Sequence, residues 1–258
     1  MRAVAVHRDV LVCWSRVWQT SCTAVRAGDE ALVIDSPVYP DELELLPALV
    51  ERAGFEVKGL LATHADWDHL LGRAAFPQAP LGCAETTAAR LAAEPGRAQR
   101  ELRDFDERHY VERPRPLSLP GVQALPVPGY CEVGDRELEL HTADGHTSDG
   151  MAVWIPWTAT LVCGDYLSPV EIPTISVGGS LEGYRATLER LRPLVERAQG
   201  VVPGHGPVLE RERALTVLGQ DDSYLAELSR RRADAALPAG RAGAEQRRLH
   251  AGNVERLA

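Results

Sequence analysis

Residues 63–69 read Thr-His-Ala-Asp-Trp-Asp-His and are the most informative stretch of this chain. They follow the apolar run 59–62, whose composition is typical of a buried strand. Two imidazoles and two carboxylates, all common metal ligands, are therefore concentrated in one turn at the end of a strand. A helix N-terminus capped by Asp66 or Asp68 is the plainer alternative. The spacing favours a metal site.

Three further segments place a His or an Asp just after a predicted strand: Gly145-His146-Thr147, Gly164-Asp165 and Pro203-Gly204-His205-Gly206. The ends of strands are where α/β proteins gather the residues of a site. Any one of these residues alone would be ordinary. Together with the 63–69 motif they predict a binuclear metal site, whose candidate ligands are His64, Asp66, Asp68, His69, His146, Asp165 and His205.

The order HADWDH, GHT, GD and PGHG resembles the metallo-β-lactamase fold superfamily over residues 32–208. This resemblance implies an α/β fold, a four-layer αββα sandwich of the metallo-β-lactamase type. It also implies how the ligands divide: His64, Asp66 and His146 hold one metal ion, Asp68, His69 and His205 hold the other, and Asp165 bridges both. Asp35 matches an acidic residue that the family places behind the metals, although a turn or cap role explains it equally well.

Asp66 departs from the usual H-x-H-x-D-H motif, because a carboxylate stands where the family has its second histidine. We expect the site to bind two divalent metal ions, and zinc is the preferred candidate. Manganese or iron is an alternative, since a hard anionic oxygen favours harder metals. The diiron flavoproteins of the superfamily also carry a carboxylate there, but they need a flavin domain for which little chain follows His205. In the other interpretation, Asp66 does not bind metal itself but supports a residue that does, and one of the two metal sites is weak or empty.

The expected activity is hydrolysis of a small ester, thioester or lactone by a hydroxide that bridges the metals. The glyoxalase-II-like and lactonase-like branches resemble the chain in length and in the PGHG loop. Asp68 is the candidate catalytic residue, orienting the nucleophile and carrying its proton; a purely ligating role is equally open. The alternatives are an iron-dependent, oxygen-using redox enzyme, a phosphodiesterase, and a metal-stabilised binding protein without catalysis.

The composition of the chain limits the classes of partner and the cellular location that we expect. The chain has 258 residues, with 28 Lys plus Arg against 37 Asp plus Glu, so its net charge of −9 argues against a nucleic-acid partner. No apolar run approaches the roughly 18 residues that cross a membrane. Five scattered cysteines and charges at Arg2 and Arg8 predict a cytoplasmic protein. Because the net charge disfavours a polyanion, a small-molecule substrate is expected. Antibiotic hydrolysis is disfavoured, since a periplasmic enzyme needs an export signal. The oligomeric state is left open, with a homodimer among the options.

Apolar patterning predicts strands at residues 10–14, 22–26, 31–34, 59–62, 137–140, 151–155, 159–163 and 200–202. It predicts helices at 41–53 and 181–198, and helical structure at 85–111 with an interruption at 95–96. The proline-rich stretch 114–128 is expected to be a loop or edge segment. We expect a catalytic domain over 1–209 and a C-terminal helical extension, 210–258, packing on it. Segment 85–111 is either a lid or pocket wall, or an outer helix that covers the sheet.

Overall fold

The computed structural model describes residues 1–257 and contains two β-sheets. The first sheet has seven strands in sequence order: β1 (Arg2–His7), β2 (Val10–Trp14), β3 (Ser21–Ala27), β4 (Glu30–Ile34), β5 (Glu56–Ala62), β6 (Leu81–Ala84) and β7 (Gln123–Leu125). Strands β1 to β4 are antiparallel, and β4 to β7 are parallel. Because β4 and β5 are parallel neighbours, the turns that follow them lie side by side at one edge of the sheet.

Four helices accompany this sheet: α1 (Pro40–Arg52), α2 (Gly72–Ala75), α3 (Glu85–Ala93) and α4 (Arg97–His109). Helix α1 buries the stripe Leu43, Leu46 and Val50 and contains Pro47 without ending there. Gly96, with φ of +76°, lies between α3 and α4, as the predicted break at 95–96 requires.

The second sheet has five strands in the order β12-β11-β10-β9-β8. They are β8 (Gly129–Val133), β9 (Arg136–Thr142), β10 (Met151–Ile155), β11 (Thr160–Val162) and β12 (Gly200–Val202). Only β11 and β12 are parallel among these neighbours, and α5 (Leu181–Arg197) connects them. Helices α6 (Arg211–Arg231) and α7 (Ala244–Arg256) complete the chain.

Three apolar clusters define the layers. The middle cluster joins the inner faces of the two sheets, for example Val12 and Ile34 with Leu140 and Val153. A second cluster packs α1 and α4 on the outer face of the first sheet. A third packs α5 and α6 on the outer face of the second sheet. The predicted four-layer αββα sandwich is therefore confirmed.

Most predicted elements are confirmed within one to three residues at their ends, and the 114–128 segment contributes only the three-residue edge strand β7. Strands β1, β6 and β8 were not predicted. The first four residues of β1 are exposed, and β6 is only four residues long with Gly82 inside it, so neither shows the alternating pattern that predicts a strand.

The C-terminal helices share a core with α5, since Leu191 and Val195 belong to the same apolar cluster as Val217 and Leu225 of α6. The division of the chain at residue 209 stays a prediction. Within residues 1–257, no helix combines the length and the apolar character that crossing a membrane requires.

Candidate metal centre

Asp35 and the 63–69 turn are joined by hydrogen bonds at the ends of β4 and β5. The Asp35 carboxylate accepts from the Thr63 backbone N–H (2.8 Å) and from Thr63 Oγ1 (2.9 Å). It also lies 3.0 Å from His69 Nδ1. Because a carboxylate accepts, His69 donates from Nδ1 and turns its Nε2 away from Asp35, toward Asp68 and Asp165. Asp35 thus lies behind the candidate ligands and orients one of them.

The first group of converging side chains is His64, Asp66 and His146, called here the Asp66 triad. Asp66 Oδ2 lies 3.8 Å from His64 Nε2 and 3.5 Å from His146 Nε2. Both imidazoles are buried, and they come from opposite sheets, His64 after β5 and His146 after β9. The site therefore lies where the two sheets meet.

The second group is Asp68, His69 and His205, the Asp68 triad, and all three residues are buried. Asp68 Oδ2 lies 3.6 Å from His69 Nε2 and 3.7 Å from His205 Nε2. His205 is held between two backbone bonds: Ser21 N–H donates to Gly204 O (2.7 Å), and Gly206 N–H donates to Gln19 O (3.0 Å). These contacts tie the PGHG loop to the β2–β3 loop.

Asp165 lies between the triads. Its Oδ2 is 3.3 Å from His146 Nε2 and 3.2 Å from His205 Nε2, and its Oδ1 is 3.2 Å from His69 Nε2. A Cβ on Gly204 would lie 2.1 Å from Asp165 Oδ1, so only glycine fits beside this carboxylate. All seven candidate ligands thus come together, and Asp165 reaches histidines of both triads.

Several ligand atoms of this cluster have no partner within residues 1–257. His64 Nε2, His69 Nε2, His146 Nε2 and Asp165 Oδ1 are all buried and make no hydrogen bond. A buried polar atom left unsatisfied costs about 1–3 kcal/mol, so four of them around one point need an explanation. Imidazole nitrogens and carboxylate oxygens are suitable ligands for zinc, manganese or iron, and the residues fit a divalent metal.

The other ring nitrogens of the histidines are held by the protein. His146 Nδ1 donates to Thr174 O (2.7 Å), while His64 Nδ1 lies 3.1 Å from Thr63 Oγ1. His205 Nδ1 lies 3.4 Å from Thr20 Oγ1. The Thr174 carbonyl fixes the tautomer of His146, because it can only accept, and the three contacts together direct Nε2 of each ring toward the centre.

The electrostatics follow from burying acids and imidazoles together. Burial opposes charge on His205, but neighbouring carboxylates, Asp165 foremost, raise its pKa to about 10. By contrast, burial and repulsion from His69 lower the pKa of His64. Burial disfavours ionised Asp165 as well, yet the surrounding histidines hold its pKa well below its usual range. Without a metal, the cluster therefore holds protons on part of its imidazoles.

Some residues at the centre carry no sequence signal. Arg90 of α3 donates to Asp66 Oδ1 (2.9 Å) and to Asp149 Oδ1 (2.8 Å). Glu171 adjoins His205, and burial raises its pKa. Each belongs to a common residue type outside any motif, so sequence reasoning missed it. The ion pairs of the folded chain identify Arg90, and the position beside His205 identifies Glu171.

An aromatic wall, formed by Trp18, Trp67 and Phe105, stands beside His205. The Trp18 ring centroid lies 5.7 Å from that of Trp67, 5.5 Å from that of Phe105 and 6.4 Å from that of His205. Trp18 is 42% exposed, and its φ of +49° lies in the left-handed region that few non-glycine residues adopt. Phe105 comes from α4, so the 85–111 segment supplies part of this wall as well as Arg90.

Two other side chains near the centre, Tyr166 and Cys163, have structural contacts. Tyr166 Oη accepts from the His146 backbone N–H (2.9 Å) and donates to Asp144 O (2.7 Å), so it braces the His146 loop and does not project into the centre. Cys163 is fully buried in the core. Burial raises the pKa of its thiol, which is consistent with a packing role.

A family model for the Metallo-beta-lactamase superfamily matches residues 15–205, which include all seven candidate ligands. The chain belongs to the Metallo-beta-lactamase superfamily. This membership supports a metal-dependent hydrolase, and the fold usually binds divalent metals.

Solved structures agree on the fold. The TMB-1 structure is 19% identical with a TM-score of 0.62, covering 88% of this chain and 98% of that one. A metallo-beta-lactamase from Pontibacter korlensis is 20% identical with a TM-score of 0.62, covering 84% and 98%. The DIM-1 metallo-beta-lactamase is 18% identical with a TM-score of 0.62, covering 87% and 96%. A search of curated proteins finds no match.

Proposed function

We propose that this protein is a binuclear metallohydrolase that cleaves a small ester, thioester or lactone. The observation that carries the proposal is the position of Asp165 between two His-Asp-His triads, together with four buried ligand atoms that no described residue satisfies. Such a donor arrangement suits two metal ions sharing one carboxylate.

In this proposal the Asp66 triad holds one ion, the Asp68 triad holds the other, and Asp165 contacts both. Bound metal would supply a water of lowered pKa as nucleophile and would polarise the bond to be cleaved. Zinc is the first expectation, because four imidazoles contribute to the set. Manganese and iron are alternatives, since Asp66 adds a hard oxygen where an imidazole would suit zinc better.

Asp68 is the proposed catalytic residue. Unlike Asp66, it has no arginine partner within residues 1–257, and its charged contacts are the imidazoles of His69 and His205. Its carboxylate is therefore not tied to a guanidinium, and at the centre it could orient the nucleophile and pass a proton to a leaving group. This role goes beyond ligation and is tested by Asp68→Asn, which keeps the shape but weakens proton acceptance.

The aromatic wall supports a substrate with an apolar group. Trp18 is exposed and adjoins His205, so an acyl chain bound at the centre could cover its indole. The net charge of −9 supports a small molecule in preference to a nucleic acid. All five cysteines are unpaired, which supports the cytoplasm, where thiols stay reduced.

One observation favours a second candidate, an iron-dependent redox enzyme that uses oxygen. Asp66 brings the carboxylates of the centre to three, beside four imidazoles, which moves the ligand set toward the harder metals. Metal analysis separates the two candidates.

The test is metal analysis by mass spectrometry on protein purified without chelator or histidine tag, followed by a panel of ester, thioester, lactone, phosphodiester and β-lactam substrates. About two zinc or manganese ions per chain and turnover of an ester-type substrate are expected. Asp222→Ala, which changes an exposed carboxylate paired with Arg185, is the matched control and should behave as the unmodified protein. Predominant iron with oxygen consumption would replace this proposal by the redox one.

A further inference from the structure

Arg90 is a buried cation that contacts one of the candidate ligands from outside the centre. It projects from α3, and its side chain is 8% exposed. One of its terminal nitrogens bonds to Asp66 Oδ1 (2.9 Å) and the other to Asp149 Oδ1 (2.8 Å), while Glu94 lies 3.5 Å from its Nε. Because the charged end of Arg90 is engaged by three carboxylates, its effect on the centre passes through the carboxylates it holds.

We propose that Arg90 is a positioning residue of the metal centre, which makes Asp66 a single-oxygen ligand and offsets the charge that this carboxylate brings. The inference rests on the metal-binding part of the proposed function and is independent of the substrate.

The division of the two Asp66 oxygens is the first argument. Oδ1 is occupied by Arg90, whereas Oδ2 faces His64 Nε2 and His146 Nε2 at 3.8 and 3.5 Å. A free carboxylate can rotate and bind an ion through both oxygens. With one oxygen held by a guanidinium, only the other is presented, in the way that an imidazole presents one nitrogen.

The second argument is charge. Asp66 adds a negative charge where a histidine would add none, and each added anionic ligand makes a bound cation a weaker electrophile. The guanidinium of Arg90 places a positive charge beside Asp66 that is shared with Asp149, so it offsets part of the added negative charge, and burial strengthens the pair because little water screens it. Segment 85–111 thus has a definite part in the centre, since α3 carries this cation.

Asp149 completes the arrangement. Its Oδ2 accepts from the Ala65 backbone N–H (3.0 Å), so the Arg90–Asp149 pair also fixes the turn between His64 and Asp66. Asp149 is buried, and despite the burial, His64 and Arg90 lower its pKa. Arg90 therefore has two attachments to the motif, one through a side chain and one through the backbone.

A purely structural ion pair would anchor α3 without any relation to the chemistry of residue 66. A double-mutant cycle separates the two roles: Arg90→Met is made in the native background and in an Asp66→His background, and Zn²⁺ dissociation constants are measured by competition with a chromophoric chelator. In the native background R90M should weaken one of the two Zn²⁺ binding steps by about 10- to 100-fold. With a neutral imidazole at position 66, the same change should cost at least about threefold less than in the native background, because no ligand charge remains for Arg90 to offset and only its bond to Asp149 is lost.

Arg113→Met is the matched control, since the Arg113 side chain is about as buried as that of Arg90 but pairs with Asp106 (2.8 Å) instead of a candidate ligand, and it should leave both Zn²⁺ constants unchanged. If R90M does not fold, R90K keeps the charge but cannot bridge two carboxylates, and the same cycle applies with a smaller loss. Equal losses in the two backgrounds, or no loss in the native one, would overturn the positioning role. Failure of the unmodified protein to bind Zn²⁺, Mn²⁺ or Fe²⁺ would instead overturn the metal centre. If the double-mutant cycle gives the expected result but no substrate is turned over, the positioning role of Arg90 holds and the hydrolase proposal fails.

Discussion

The two triads contain the same residue types, yet the protein surrounds them differently. The Asp66 triad is backed by a cation, Arg90, whereas the Asp68 triad is backed by an anion, Asp35, which lies 3.0 Å from His69 Nδ1. Arg90 stabilises the negative charge of a ligand, whereas Asp35 orients an imidazole and makes it a stronger electron donor. Ligand types alone therefore do not determine the charge of a metal site. The partners behind the ligands do.

The largest effect is expected from removing Asp165, the carboxylate that the two triads share. Asp165→Ala takes away the candidate ligand whose carboxylate contacts histidines of both groups, so both metal ions should be held weakly and hydrolysis should fall to background. Metal content after gel filtration and turnover of the best panel substrate measure this. A variant that kept two metals per chain would show that the triads do not need a shared carboxylate.

A smaller effect is expected from changing the anion behind the Asp68 triad. Asp35→Asn keeps the size of the side chain but removes the charge that holds His69 Nδ1, and metal affinity should fall by about 10- to 100-fold. Competition with a chelator measures the change. Asp41→Asn, at an exposed carboxylate paired with Arg16, is the control; a similar loss there would make the effect non-specific.

The triads should also differ in how they respond to pH. In the metal-free protein the pKa of His205 is raised to about 10 and that of His69 is also raised, despite burial, by carboxylates. Both are therefore protonated near neutrality, and metal must displace these protons, so apparent affinity should rise about tenfold per pH unit for each proton displaced. Calorimetry in buffers of different ionisation enthalpy would count them. Zero proton release at pH 7 would contradict the raised pKa values.

The same raised pKa has a consequence for stability. Because the folded-state pKa of His205 lies above its unfolded value of about 6.5, its contribution is fully present below that value and is lost as pH rises through about 10. The Tm of metal-free protein should therefore decrease between about pH 7 and pH 10. Scanning fluorimetry with a chelator present measures it, and metal-loaded protein is the comparison.

The smallest effect is expected from the aromatic wall, which adjoins the Asp68 triad at His205. Trp18→Ala should raise KM about fivefold, equivalent to roughly 1 kcal/mol of lost apolar contact, with little change in kcat. Tyr130→Ala, at an exposed aromatic residue on strand β8, is the control. A fall in kcat at constant KM would mean that Trp18 supports His205 and does not contact substrate.

The sequence by itself determined the layered α/β fold and the seven residues that converge, His64 and Asp165 among them. Both follow from local patterns: apolar runs mark strands, and a His or Asp after a strand lies at the edge where sites form. Strand β1 lacked such a pattern because most of it is exposed.

Only the tertiary structure decided what stands behind the ligands. Arg90 lies 24 positions from Asp66, and Thr174 lies 28 positions from His146. Arginine is common in this chain, and a backbone carbonyl has no residue type at all, so no local pattern distinguishes these partners. They act on the site because packing places them within hydrogen-bond distance of a buried ligand. The low local dielectric there strengthens the effect of a single charge or hydrogen-bond donor.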